Sequence, residues 1–146
     1  MKQMAKQKTN PVLQEIKEFQ EKWEQEKEIL AKKFKENFQK FFQEIFETHP
    51  KLKAFKFTAY TPYFCDGDPC EYEIHDVYDV LWDNNEDFID KYELEGEEEK
   101  EVDEILEKIN EIIFAIDQEF YKISFGDHVE IIVYPNKIKT SGYDHD

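Results

Sequence analysis

Residues 34–60 read FKENFQKFFQEIFETHPKLKAFKFTAY, and the hydrophobic period changes partway through. Phe34, Phe38, Phe41, Phe42, Ile45 and Phe46 recur at steps of three and four, the spacing of one helical face. From Ala54 to Tyr60 the period is two, with Phe55, Phe57 and Ala59 on one side, the signature of a strand with one buried face. Thr48-His49-Pro50 separates the two, because the residue before a proline avoids helical backbone angles. A helix ending where a strand begins, each with a Phe-rich face, predicts helix packed on sheet.

Outward toward the N-terminus, the helical stripe continues through Leu13, Ile16, Phe19, Trp23 and Leu30, interrupted at Glu26 and Lys27. Asn10-Pro11 reads as its cap and first position. A helix from Pro11 to Glu47 would be about 55 Å long, more than a small domain spans. The half at residues 11–30 is therefore expected to project, or to pair with a second copy through residues 12–30. Residues 1–10 read as a flexible tail.

Outward toward the C-terminus, Tyr72 and Ile74 alternate with Glu71, Glu73 and His75 as a second strand. Residues 79–101 are dominated by acids and read as a loop that could hold a short helical turn around 86–92. Val102, Ile105, Leu106, Ile109, Ile112, Ile113, Ile116, Phe120 and Ile123 make a second apolar stripe, predicting a helix over 98–124 stopped by Gly126. Asp127–Tyr134 reads as a third strand and Lys137–Ser141 as a polar edge strand. The expected fold is α+β in the order αββαββ: a four-stranded antiparallel sheet with two long helices on one face, residues 11–146 forming one domain.

Composition narrows the function. Net charge is −16, with 19 Lys and no Arg. Residues 1–53 hold 12 Lys and 9 acids, net +3, while residues 54–146 hold 7 Lys and 26 acids, net −19. A body so acidic and lacking Arg is not expected to bind nucleic acid directly. No signal-like or membrane-spanning apolar run is present, so a cytoplasmic protein with free thiols at Cys65 and Cys70 is expected.

The least generic stretch joins the first two strands: Tyr60-Thr61-Pro62-Tyr63-Phe64-Cys65-Asp66-Gly67-Asp68-Pro69-Cys70. Gly67 suits a left-handed turn position, Asp66 and Asp68 suit side-chain bonds to nearby amides, and the prolines stiffen the ends. Asp66, Asp68, His75, His128 and His145 are weak candidates for a divalent cation. No other cofactor is expected. Asp83–Asp87 has the first oxygens of a calcium loop, but Phe88 stands where glycine is needed and Leu94 where the bidentate Glu is needed, so the motif fails. His residues beside carboxylates offer acid–base chemistry, yet no nucleophile elbow or phosphate-cradling glycine loop accompanies them.

Tyr60-Thr-Pro-Tyr-Phe with Asp66-Gly-Asp-Pro-Cys70, Phe125-Gly-Asp-His-Val129 and the closing Tyr143-Asp144-His145-Asp146 resemble an uncharacterised family of small phage and bacterial proteins. That family carries a YTPYFNDGDPC-type loop, an FGDHV-type strand start and a terminal Tyr-x-His-Asp. Cys65 stands where the family pattern has Asn. The helices match only in character. The resemblance implies a phage-type setting, hence host cytoplasm, and carries no activity. The leading expectation is a non-enzymatic, acidic protein-interaction module that binds a basic host or phage protein. The alternative is a small-ligand or divalent-metal module, with or without catalysis, built from residues 60–76 and the C-terminal tail.

Overall fold

The computed structural model describes residues 11–144. The expected tail over residues 1–10, with the Asn10 cap, and the candidates His145 and Asp146 lie outside them. The chain is mixed α+β with an antiparallel sheet.

The first helix, α1 (Pro11–Asn37), runs into a 3-10 segment (Phe38–Phe42) and then α2 (Gln43–Thr48). Sequence periodicity sees one helix here, because the tightened turns keep the apolar residues on one side. The Asn37 side-chain amide donates to the Lys33 carbonyl at 2.7 Å. In a regular helix that carbonyl receives the Asn37 backbone N–H, so the side chain competes with the ladder where the helix tightens. Phe38 and Phe42 are fully buried, but Phe41 is exposed, against expectation.

Strand β1 (Leu52–Tyr60) is the centre of the sheet. It pairs with β5 (Val129–Val133) along one edge and with both β2 (Glu73–Ile74) and β3 (Asp79–Trp82) along the other. β4 (Ile89–Asp90) and β6 (Ile138–Gly142) are the outer strands, giving the order β4-β3-β1-β5-β6. A register shift at Lys53 matters for the core. Leu52 pairs with Trp82 and Phe55 with Val80. Val80 and Trp82 lie two apart on one face, so the extra residue in β1 lets Leu52 join Phe55 on that face. All four belong to one buried cluster.

Phe55 packs on Phe42 and Phe46, with ring centroids 4.9 and 5.9 Å apart, and Phe57 packs on Phe38 at 6.2 Å. The even-numbered Lys56, Thr58 and Tyr60 point to the opposite face of the sheet.

Two expectations are corrected. Residues 79–101 are not a loop. They hold β3, β4, a 3-10 turn (Lys91–Glu93) and the start of α3 (Gly96–Ala115). The acids that masked this order serve it locally. Asp90 and Glu93 form a capping box on the 3-10 turn, and Glu97, Glu98 and Glu99 occupy the first turn of α3, where the helix dipole favours negative charge. The sheet thereby gains strands beyond the expected four. The predicted helix over 98–124 is likewise two helices, α3 and α4 (Gln118–Phe125). Ile116 and Asp117 are extended between them, and the Asp117 carboxylate caps α4 by accepting the Glu119 N–H at 2.9 Å. The break turns Tyr121 into the core, where its hydroxyl donates to the Ile113 carbonyl at 2.8 Å.

Candidate functional site

Two regions bear on function: the loop between β1 and β2, and the exposed half of α1.

The loop is fastened from outside itself. Asp127, just before β5, accepts the Thr61 N–H and the Thr61 hydroxyl, each at 2.7 Å, and the His128 N–H at 2.8 Å. Partial burial alone would raise its carboxyl. The three bonds outweigh that and hold it below the ordinary aspartate value. At the loop's far end, the Tyr72 hydroxyl donates to the Gly126 carbonyl at 3.1 Å, and burial pushes that phenol well above its usual range. Both ends are thus tied to the α4–β5 junction.

Turn chemistry predicts the holding role for Asp66 and Asp68. Both are exposed, and among the described residues the carboxylate that anchors the loop is Asp127. No local pattern signals a partner 66 residues away; the weak clue was Asp127 beside His128. Cys65 and Cys70 are joined as a disulfide, where free thiols were expected. Gly67 has φ +82°, the left-handed turn position expected of it. Tyr63 and Phe64 stand exposed at the tip, Phe64 at 80%, beside Pro62 and an exposed Pro69.

Around this loop the aromatic residues gather. Tyr60 stacks on His75 at 4.3 Å and lies 5.5 Å from Tyr143, while Tyr63 stacks on His128 at 4.9 Å. The Tyr143 N–H donates to the His128 carbonyl at 2.7 Å, which continues the β5–β6 pairing to the end of the sheet. His128 holds φ +52°, a left-handed conformation that His, like Asn and Asp, adopts more readily than other residues with a side chain. Asp144 is exposed.

Tyr60, His75 and Tyr143 border a cleft of about 390 Å³ on the open face of the sheet, with Lys56, Asp79 and Glu130 along it. Lys56 lies 3.8 Å from Glu130 and 4.7 Å from the centre of the Phe88 ring. Among the described residues, the Nε2 atom of His75 is buried without a hydrogen-bond partner. Among the described residues, which include the candidates Asp66, Asp68, His75 and His128, no three of His, Cys, Asp and Glu converge as metal ligands.

The second region is α1 itself. Val12, Leu13, Ile16, Phe19, Trp23 and Leu30 are all exposed, Phe19 at 70% and Trp23 at 56%. Where α1 reaches α4, an apolar cleft of about 230 Å³ opens between Trp23, Leu30, Ala31, Phe120 and Ile123. Lys27 is drawn to Glu119 at 3.1 Å at its border, and the Ser124 hydroxyl donates to the Ala31 carbonyl at 3.0 Å. Among the described residues, no helix is long and apolar enough to cross a membrane.

In comparisons with known proteins, the chain matches no family model, no curated protein and no solved structure.

Proposed function

We propose that this chain is a non-enzymatic, phage-type protein-interaction module that works through the projecting half of α1, with its acidic body favouring a basic partner. The observation that carries this reading is the exposed stripe of Val12, Ile16, Phe19, Trp23 and Leu30. A water-soluble surface rarely keeps so many large apolar groups in one line unless another surface covers them. Net charge of −19 over residues 54–146 supplies long-range attraction for a basic protein, and that part of the reading predicts salt sensitivity.

The test is affinity capture with the full chain at low and high salt, beside Phe19→Glu and Trp23→Glu variants. A basic protein retained by the parent chain, weakened by salt and lost with either variant, supports the reading. If the parent chain captures nothing and does not self-associate, the reading fails.

A second reading rests on the orphaned His75 nitrogen and the cleft beside it. A buried polar atom without a partner costs about 1–3 kcal/mol, which a bound ligand can recover. With Tyr60 and Tyr143 as walls and acids outnumbering Lys56, the cleft suits a small organic cation. Titrating the protein with small amines, read by amide chemical shifts, tests this. Shifts centred on Tyr60, His75 and Tyr143 support it, and unchanged spectra at millimolar amine remove it.

A further inference from the structure

We infer that the occupant of the α1 stripe is α1 of a second copy of this chain, docked antiparallel so that Phe19 of each copy meets Trp23 of the other. This rests on the reading of residues 12–30 as an interaction face, and it puts a second copy where that reading puts a basic partner.

Area is the first argument. The five stripe residues expose on the order of 500 Å² of apolar surface, judged from typical side-chain areas. A standard interface buries about 800 Å² per partner, somewhat more than half of it apolar. The stripe alone supplies that apolar share.

Shape is the second. The cleft lined by Trp23, Leu30, Phe120 and Ile123 is apolar and lies on the same side of the molecule as the stripe that leads into it. Phe19 is the most exposed residue of that stripe. On one helix, Phe19 and Trp23 are a single turn apart, so neither Phe19 nor its neighbours can fill the cleft of their own chain. A two-fold axis solves both problems at once, because each copy offers the same knob and the same hollow. With Phe19 opposite Trp23, Val12 falls opposite Leu30, and Ile16 meets the methylene stem of Glu26 at the break in the stripe. Lys27 also lines the cleft, where it is paired with Glu119 at 3.1 Å.

Charge fixes the direction. In a parallel pair the two bodies, each net −19 over residues 54–146, would lie side by side. Antiparallel helices carry them to opposite ends, beyond the screening length of about 8 Å at physiological salt.

Sedimentation equilibrium of the full chain over a range of concentrations tests the proposal. A mass twice 17.7 kDa is expected, with at least a tenfold weaker association for Phe19→Glu and for Ile16→Glu at unchanged helicity. Direction is read by cysteine cross-linking. A Val12→Cys, Leu30→Cys double variant should cross-link between copies, whereas either single variant should not. Cross-linking by the single variants instead overturns the antiparallel arrangement. A parent chain that stays monomeric at every concentration, yet captures another protein through Phe19, overturns the second copy and leaves the interaction face standing. Monomer without capture overturns both.

Discussion

Two halves of one helical run share the same apolar period and meet opposite fates. Phe38 and Phe42 are fully buried beneath β1, while Phe19 is 70% and Trp23 56% exposed. Nothing in the local pattern separates them. What differs is whether another layer lies opposite. Behind Phe38 and Phe42 stand Phe55, Phe57 and Tyr121, at centroid distances of 4.9 to 6.2 Å. Among the described residues, Phe19 stays 70% exposed and Trp23 reaches only the edge of α4, at the cleft it shares with Phe120 and Ile123. The comparison teaches that periodicity reports which face is apolar, and only the rest of the chain decides whether that face is covered.

The sharpest way to break this comparison is to truncate an aromatic residue in each half. Phe42→Ala should cost about 3–5 kcal/mol in urea unfolding, as a large core residue replaced by a cavity does. A loss under 1 kcal/mol would mean that the buried half is no better packed than the exposed one.

A smaller loss should come from neither half. Asp127→Ala removes three hydrogen bonds to a charged acceptor and should cost about 1.5–3 kcal/mol. Its sign with pH follows from its lowered carboxyl. The folded value lies below the unfolded one, so the contribution is complete above the unfolded value, near pH 3.9, and fades as pH falls through the folded value. Parent and variant should therefore converge in stability in strong acid. A gap that persists there would contradict the assigned role.

Next is the Tyr121 hydroxyl, which satisfies the Ile113 carbonyl beside the socket that holds Phe38. Tyr121→Phe should cost about 1 kcal/mol while leaving the ring contacts intact. The smallest effect belongs to the exposed half. Phe19→Ala, measured where the chain is monomeric, should change stability by no more than about 0.5 kcal/mol. A larger loss would place Phe19 in the monomer's own core and remove the contrast.

How far residues disclosed the fold depends on where their partners are. The strand at Ala54–Tyr60 was legible because its alternation is local, and so was the helix stop at Pro50. The break at Ile116–Asp117 was not, since the apolar stripe runs across it without a proline or glycine. β3 and β4 were hidden because the acids around them share the composition of a solvated loop, although Asp90, Glu93 and Glu97–Glu99 cap and charge the neighbouring helical starts. In the loop, Gly67 was legible as a turn residue, but Asp66 and Asp68 drew attention that belonged to Asp127. Asn110 carries no local sequence signal of its role. Its side-chain oxygen accepts the Val77 N–H at 2.8 Å, serving the irregular segment between β2 and β3.

By itself the sequence determined the elements whose evidence lies within a few residues: the α+β class, the Phe-rich helix and the central strand it covers. It also determined the charge division between the basic start and the acidic body. The tertiary structure alone decided that Phe41, within the buried half of the stripe, stays exposed, and that β1 carries both β2 and β3 on one edge. It likewise decided that the β1–β2 loop is held by Asp127. The physical reason is common to all three. Periodicity and turn chemistry are properties of neighbours along the chain, whereas burial, strand order and long-range hydrogen bonds depend on which surfaces remain available once those elements have packed.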